Sequence, residues 1–210
     1  MMKKGLVMEG GAMRGMFTAG VIDVMMEHQI TFDGAMGVSA GAVFGCNYKS
    51  NQPGRVIRYN AAYCNKPQYA GLRTFLKTGD QFCYHDIPEH LDPFDYETYR
   101  KNPMDFYVVV TDAKTGKALY KKVDRCDKKE MEWMRASASM PIVSKPVCVD
   151  GYELLDGGVA DSIPVQKMQE LGFDKTVVVL TQPRDYVKKK NQLMPLAKVS
   201  LRRYPAMIDA

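Results

Sequence analysis

One serine of the chain stands between two glycines, in the segment Gly37-Val38-Ser39-Ala40-Gly41. This G-x-S-x-G spacing is typical of a sharp turn from a strand into a helix, where a side chain at either flanking position would crowd the backbone. Such a turn pushes the serine hydroxyl out toward a substrate, where it can act as a nucleophile. The segment therefore predicts hydrolase chemistry at Ser39, with Gly37 and Gly41 in supporting positions.

A glycine-rich loop lies upstream, over residues 10–15 with the sequence GGAMRG. A loop of this kind that opens a helix presents backbone N–H groups, and the helix dipole behind them favours negative charge. An ester carbonyl under attack develops such a charge on its oxygen. We therefore expect the amides of Gly10, Gly11 and Ala12 to form an oxyanion hole, supported by Arg14 and Gly15.

The serine also needs a base that takes its proton. The chain has three histidines, all of them before residue 91: His28, His85 and His90. A triad in the order serine, acid, histidine is therefore excluded, because no histidine follows late in the chain. A carboxylate in a dry site can serve instead. Asp156 is the best candidate, because Gly157 and Gly158 let the backbone turn tightly and bring the carboxylate close to a helix.

The glycine loop can also cradle a phosphate, so a non-catalytic nucleotide- or phosphate-binding protein is the alternative from another class. The Gly-Lys-Ser/Thr of a P-loop is absent, and the dinucleotide fingerprint G-x-G-x-x-G fails at Ala12. Asp33, downstream of Gly15, suits the ribose contact of that fingerprint. An acyltransferase or thioesterase on a similar serine turn is a third alternative, but such enzymes ordinarily use a histidine partner.

Length and composition limit the remaining classes. With 210 residues, 46% of them hydrophobic, the chain can bury one sizeable core, and we expect a single domain over residues 1–210. The net charge of +5 comes from scattered lysines and arginines, so we expect no nucleic-acid partner. The last residues, 205–210, resemble the beginning of a helix without a cap, which predicts a natural chain that runs on.

Cysteine usage and hydropathy bear on the compartment. Five cysteines stand far apart without a C-x-x-C pair or nearby histidines, which indicates reduced thiols in a cytoplasmic protein and no metal site. We find neither a signal peptide nor a charge-free stretch long enough to span a bilayer. Any membrane contact is therefore expected to be peripheral.

The elements that must position these residues follow from hydrophobic periodicity. Short apolar strands at 5–8 and 31–36 precede helical patterns at 13–29 and 40–48. Two consecutive strand-turn-helix units predict a parallel sheet, and both motifs fall at the carboxyl ends of its strands. We therefore expect Ser39 and the glycine loop to converge in space.

Further elements complete an expected mixed sheet. We predict a strand at 106–111, a hairpin partner at 118–120, a helix at 130–138, a hairpin over 147–155 around Asp150-Gly151 that delivers Asp156, and a buried strand at 176–180. The aromatic-rich segment 51–100 is interpreted as helices packed on the sheet, with a cap that lines an apolar substrate groove as the alternative.

Four motifs occur in order: EGGAMRG at 9–15, the serine turn at 37–41, ASASMP at 136–141 and DGG at 156–158. The small residues at 136–141 let a helix end lie close to the glycine loops. The order resembles the patatin-like phospholipase family over about residues 5–181, and the loop resembles that of its bacterial E-G-G-x-x-R-G branch. Glu9 and Ala12 depart from the three consecutive glycines of the better-known pattern.

The resemblance implies a three-layer α/β fold with a central, mostly parallel mixed sheet and helices on both faces. It implies a lipid acyl hydrolase or carboxylesterase that acts on lipid or other acyl esters without a metal or cofactor. Ser39 would be the nucleophile and Asp156 the base of a dyad that passes through an acyl-enzyme, with Gly10, Gly11 and Ala12 as the oxyanion hole.

Overall fold

The computed structural model describes residues 2–64, 66, 89, 91–187 and 201–209. Within these residues, seven strands form one mixed sheet. In chain order they are β1 (Lys4–Met8), β2 (Gly34–Val38), β3 (Asp105–Asp112), β4 (Ala118–Lys122), β5 (Val147–Val149), β6 (Tyr152–Asp156) and β7 (Lys175–Val179). Strands β7, β1, β2 and β3 are neighbours in that order and run parallel, while β4 and β6 pair antiparallel with β3, and β5 pairs antiparallel with β6.

The helices follow the strands in the pattern expected of an α/β protein. Those of the described residues are α1 (Gly15–Glu27), α2 (Ala40–Lys49), α3 (Arg55–Tyr63), α4 (Tyr96–Lys101), α5 (Lys128–Ser137), α6 (Val165–Glu170) and α7 (Ala206–Asp209). A 3₁₀ turn (Ala12–Arg14) leads into α1. Asp127 begins α5 as an N-cap, because its carboxylate accepts hydrogen bonds from the Lys129 and Glu130 amides.

Both faces of the sheet are covered, since successive strand residues point to opposite sides. Leu6 packs in the larger core cluster with side chains of α1, α2 and α5, among them Trp133. Val7, the next residue, packs on the other face against Met168 of α6 and Phe173. Helices therefore lie on both faces of a mixed sheet, which confirms the expected three-layer α/β fold.

The second strand differs from the expected range. It occupies Gly34–Val38 and not 31–36. Phe32, inside the predicted range, precedes the strand, and its ring packs against that of Tyr48 on α2, with ring centroids 6.1 Å apart. The strand begins at Gly34, where its residues start to pair with β1 on one edge and with β3 on the other.

The last strand was expected to be buried, and this prediction was wrong. Among the described strands, β7 is the outermost one beside β1, and only Val179 of its residues is buried, while Val177 is exposed. Helix α6 was not predicted at all, because its six residues are too short for a clear apolar period.

Other predicted elements are confirmed. The β5–β6 hairpin turns at Asp150 and Gly151, whose φ angles of 51° and 81° are those of the predicted two-residue turn. In the aromatic-rich segment, α3 and α4 are helices. Phe94 and Tyr99, the latter on α4, pack in the larger core cluster, and Tyr59 of α3 packs in a second cluster. The expected aromatic positions within 67–88 lie outside the described residues. No helix in the described ranges is long and apolar enough to cross a membrane.

Candidate active site

Strand β3 places the ends of β2 and β6 beside each other. Val109 pairs with Val38 of β2 on one edge and with Tyr120 of β4 on the other. Val110, the next residue, pairs with β4 and with Asp156 of β6, so β6 takes over the edge at which β2 ends. Because β2 runs parallel and β6 antiparallel to β3, their carboxyl ends meet. The residue after Val38 therefore comes next to Asp156.

Ser39 is that residue, and it forms the turn between β2 and α2 with φ 53° and ψ −121°. A positive φ is strained for a residue with a side chain and is the geometry of a nucleophile elbow. The flanking glycines allow close backbone packing. An added Cβ at Gly37 would lie 2.4 Å from the Gly41 carbonyl oxygen, and one at Gly41 would lie 2.2 Å from the Met8 carbonyl oxygen. The predicted strand-turn-helix is present.

The Ser39 hydroxyl donates a hydrogen bond to Oδ2 of Asp156 at 2.6 Å, and both side chains are buried. Burial raises the pKa of Asp156 from the ordinary 3.8 to about 6, because the carboxylate loses its water. Hydrogen bonds from the Ser39 hydroxyl and the Gly158 amide oppose part of that rise. The carboxylate is thus a stronger base than an exposed aspartate and remains mostly ionised at neutral pH.

Asp156 is held on several sides. The Gly158 amide donates to its Oδ1 at 2.8 Å, and the Thr111 hydroxyl donates to its carbonyl at 2.8 Å. Its own amide donates to the Ser139 carbonyl at 2.9 Å. At Gly157, an added Cβ would lie 2.2 Å from a carbonyl oxygen of β3, so only glycine lets the chain pass there. The two glycines after Asp156 therefore hold its carboxylate in position, in addition to forming a turn.

The glycine-rich loop lies against the serine turn. An added Cβ at Gly10 would be 2.9 Å from the Cβ of Ser39. Gly11 and Ala12 have φ angles of 151° and 48°, which turn the chain sharply into the 3₁₀ turn. In the part of the chain that the structure describes, no protein acceptor pairs with the backbone amides of Gly10, Gly11 and Ala12. The glycine loop thus lies against Ser39, the hydrogen-bond partner of Asp156, and the predicted convergence of the loop with the serine turn is present.

The two supporting residues of the loop differ in their surroundings. Gly15 begins α1 where this helix meets α2, and an added Cβ would lie 2.8 Å from the Cβ of Ala40. Arg14 is exposed, and its amide donates to the Gly11 carbonyl at 3.0 Å. Its Nε lies 3.3 Å from where a Cβ on Gly11 would stand. Gly15 therefore permits helix contact, while Arg14 lies over the loop on the solvent side.

Glu9 fastens the loop to the segment after β7. Its Oε2 accepts a hydrogen bond from the Thr181 amide at 2.6 Å, and the Thr181 hydroxyl donates to the Gly10 carbonyl at 2.5 Å. In the sequence, Glu9 is part of the E-G-G-x-x-R-G pattern and a departure from three glycines, but neither observation gives it a structural role, and Thr181 belongs to none of the motifs. The two residues are 172 positions apart, so no local pattern pairs them.

Ser137, at the end of α5, also contacts the serine turn. Its hydroxyl accepts a hydrogen bond from the Ser39 amide at 2.9 Å and donates one to the Val109 carbonyl at 2.6 Å. The small residues at 136–141 predicted that this helix end would lie close to the glycine loops, and it reaches the serine turn. Nothing in the spacing of the motif indicated that a hydroxyl would bridge Ser39 to β3.

The residues that other chemistry would need lie elsewhere. His28 is the C-cap of α1, whose first residue touches α2, so about 20 Å of helix separates it from the serine turn. His85 and His90 lie outside the described residues. Asp33 precedes β2 at the amino end of the sheet, where its carboxylate accepts from the Lys4 amide at 2.7 Å. That is the wrong end for the ribose contact of the dinucleotide alternative.

A comparison with protein families decides the assignment. The family model described as patatin-like phospholipase matches residues 6–168, from β1 through most of α6. The chain belongs to the patatin-like phospholipase family. The expected family resemblance is thereby confirmed, and the match includes the glycine loop, the serine turn, the end of α5 and Asp156.

This patatin-like chain is similar to longer proteins. It is 31% identical over 191 residues to the uncharacterized protein YjjU of Escherichia coli. The aligned region covers 85% of this chain and 52% of that protein. It is 28% identical over 179 residues to lysophospholipase nte1 of Aspergillus niger, over 81% of this chain and 11% of that protein. The crystal structure of VipD from Legionella pneumophila aligns with 84% of this chain and 49% of its own, at 14% identity and a TM-score of 0.48. The chain thus spans about half the length of its bacterial relative.

Proposed function

We propose that this patatin-like chain is a serine acyl hydrolase that cleaves lipid esters, with Ser39 as the nucleophile and Asp156 as the general base. The observation that carries the proposal is the 2.6 Å hydrogen bond from the Ser39 hydroxyl to a buried carboxylate. A serine donating to a base at this distance is the arrangement that activates a hydroxyl for attack.

In the first half of the reaction, Ser39 Oγ attacks the ester carbonyl carbon and its proton passes to Asp156 Oδ2. The carbonyl oxygen becomes an oxyanion, and the amides of Gly10, Gly11 and Ala12 donate to it. The amino end of α2, directly after Ser39, adds a favourable dipole. Asp156 then gives the proton to the departing alkoxide, which leaves as the alcohol, and the acyl group remains on Ser39.

In the second half, Asp156 takes a proton from a water molecule, and the hydroxide formed attacks the acyl-enzyme carbonyl. The tetrahedral intermediate collapses with Ser39 Oγ as the leaving group, and Asp156 returns the proton to it. The products are the carboxylic acid and the free enzyme. All of these proton transfers use groups within the dyad, so the scheme needs no metal or cofactor.

A lipid substrate is favoured by two features. The fungal relative is named a lysophospholipase. In addition, Met13 in the 3₁₀ turn of the glycine loop and Phe17 in the first turn of α1 are exposed, with relative exposures of 44% and 62%. Apolar side chains beside a reaction centre suit an acyl chain or a lipid surface. We therefore propose peripheral contact with lipid at this end of the sheet.

The test combines covalent labelling with turnover. A fluorophosphonate probe reacts with activated serines, so we expect it to label the parent chain. We expect no labelling of Ser39→Ala and much slower labelling of Asp156→Asn. Ser50→Ala is a matched control, because Ser50 is also buried and its hydroxyl is hydrogen-bonded at the other end of α2. We expect the control to be labelled like the parent chain.

Turnover of a series of esters then identifies the substrate class. We would compare p-nitrophenyl esters of increasing acyl length with lysophospholipids and diacyl phospholipids in mixed micelles. Hydrolysis that increases with acyl length and is lost in Ser39→Ala supports the proposal. Labelling of Ser39→Ala at the parent rate, or turnover that survives in it, would overturn the assignment of the nucleophile.

A further inference from the structure

The end of α5 contains a buried hydroxyl that the reaction scheme above does not use. Ser137 is 0% exposed, and its Oγ lies between two backbone groups. The Ser39 amide donates to this oxygen at 2.9 Å, and the oxygen's own hydrogen goes to the Val109 carbonyl at 2.6 Å. The hydroxyl thus bridges the serine turn to β3, one residue beyond the last pair of β2 with β3, which joins Val38 and Val109.

The orientation of this hydroxyl follows from the two contacts. A serine hydroxyl has a single hydrogen and two lone pairs. Because the Ser39 N–H is a donor, the Ser137 oxygen must accept from it, and its hydrogen is directed to the Val109 carbonyl. The Ser39 N–H and the Ser137 hydroxyl then each donate one hydrogen bond, and the direction of these two hydrogen bonds cannot be exchanged. The position of the Ser39 amide is therefore determined by β3, the same strand that positions Asp156 through Val110.

The bridge matters because Ser39 is strained and buried. At φ 53° and ψ −121°, its backbone persists only if the surroundings hold it. Without the hydroxyl of Ser137, the Ser39 amide would lose its acceptor in a buried place, and the turn would relax to find another. A small rotation of this turn moves Oγ away from the acceptor at Asp156, and displacements of about 1 Å can change rates about a hundredfold.

The same helix end also holds the other half of the dyad. The Ser139 carbonyl accepts a hydrogen bond from the Asp156 amide at 2.9 Å. Within two residues, therefore, the chain leaving α5 contacts the backbone of both Ser39 and Asp156. This gives the segment 136–141 a purpose that its small residues alone did not reveal.

We infer that Ser137 is a positioning residue, which holds the Ser39 turn in register with Asp156 by bridging the Ser39 amide to β3. The inference rests on the proposed function, because it assigns a role in the same reaction. Ser137 does not touch the substrate in this scheme. Its removal should therefore change kcat and the rate of covalent labelling, and leave KM nearly unchanged.

The experiment compares Ser137→Ala with the parent chain, Ser39→Ala and Ser50→Ala. For Ser137→Ala we expect kcat and the fluorophosphonate labelling rate to fall tenfold to a hundredfold, with KM within about twofold of the parent. Ser50→Ala removes another buried, hydrogen-bonded serine hydroxyl, but at the far end of α2, and we expect parent activity from it. Thermal unfolding of each variant separates loss of activity from loss of fold.

A second variant keeps the test decisive if Ser137→Ala does not fold. Ser137→Cys retains a weak acceptor and donor of similar size, so we expect a kcat between the parent and zero with near-parental unfolding temperature. Full activity in either Ser137 variant, or an equal loss in Ser50→Ala, would overturn the inference while the proposed function stands. If the parent chain neither labels nor turns over esters, the proposed function itself fails.

Discussion

The Ser39 hydroxyl donates to Oδ2 of Asp156 across 117 positions of sequence, at 2.6 Å. The contact exists because β2 and β6 approach the same edge of β3 from opposite directions and meet at Val109 and Val110. A βα unit or a hairpin folded by itself would not bring Ser39 and Asp156 together. The distance between nucleophile and base is therefore a property of strand register, and the predictions below follow from this register and from the burial that accompanies it.

The pH dependence of activity should follow the ionisation of Asp156. Only the ionised carboxylate can take the proton of Ser39, and burial raises its pKa to about 6. We therefore expect kcat/KM to be level above pH 7 and to fall about tenfold per pH unit below pH 6. The measurement is a pH profile with a neutral ester. A midpoint near pH 4 would mean that the carboxylate is not desolvated in the working enzyme.

The same carboxylate should make stability depend on pH. The pKa of Asp156 is higher in the folded state than its ordinary value of 3.8, so the folded state binds the proton more tightly. Stability from this group is present below pH 4 and is lost as the pH rises through about 6. A rise of about two pKa units corresponds to about 3 kcal/mol of unfolding free energy.

Asp156→Asn removes this titration and is the variant that measures it. Urea unfolding of the parent and of Asp156→Asn at pH 4, 5, 6 and 7 gives the difference between their free energies of unfolding. We expect the difference to shift by about 2 kcal/mol in favour of the variant from pH 4 to pH 7, because part of the full change of about 3 kcal/mol already lies below pH 4. If the difference between the two free energies of unfolding does not change with pH, the carboxylate is not desolvated, however large that constant difference is.

Two helical glycines should respond oppositely to alanine. At Gly41 the added Cβ would lie 2.2 Å from the Met8 carbonyl oxygen, so the backbones of α2 and β1 must separate. We expect Gly41→Ala to lower the unfolding free energy by at least about 2 kcal/mol and to abolish labelling of Ser39. Gly20, inside α1, has nothing within 4 Å of its Cβ position, and Gly20→Ala should stabilise by up to about 1 kcal/mol. Equal effects of the two substitutions on stability would refute the close approach.

The contact between Glu9 and Thr181 should matter for the oxyanion loop. Glu9→Ala removes the acceptor of the Thr181 amide, and we expect the labelling rate of Ser39 to fall about tenfold because the loop amides lose their position. Glu9→Gln keeps a carbonyl oxygen at this place and should retain most of the rate. The labelling rates of both variants are measured by quenching the reaction at a series of times at a fixed probe concentration.

A matched control for Glu9 lies at the other end of the same two strands. The Asp174 carboxylate accepts from the Lys3 amide at 2.7 Å, so it also joins the β1 segment to the β7 segment, but at the amino end of the sheet. We expect Asp174→Ala to lower stability about as much as Glu9→Ala and to leave the labelling rate unchanged. A similar loss of labelling in both variants would show that the effect of Glu9 is on folding alone.

Much of the architecture could be predicted because local sequence patterns determine it. The apolar runs and glycine turns of 5–8 and 40–48 indicate β1 and α2, and the turn at Asp150-Gly151 indicates the hairpin. Predictions failed where a pattern was weak or misleading. The predicted strand 31–36 begins three residues too early, since Phe32 packs its ring on α2. Strand β7 is apolar, yet it is the outermost of the described strands and most of its side chains are partly or fully exposed.

The candidate site divides in the same way. The types and spacing of residues pointed to Ser39, Asp156 and the glycine loop, because a strained turn, a tight approach and a helix opening each demand particular side chains at adjacent positions. The roles of Ser137, Glu9 and Thr181 could not be predicted, because each acts through hydrogen bonds to residues distant in the chain.

The sequence by itself determined which groups can react: a hydroxyl in a glycine-flanked turn, a carboxylate before two glycines, and no histidine late in the chain. Only the tertiary structure decided that these groups meet. Strand β3 sets the register of β2 and β6, and burial at their junction removes water from Asp156 and raises its pKa. Local chemistry is encoded by neighbouring residues, whereas distance and desolvation arise only when remote segments pack together.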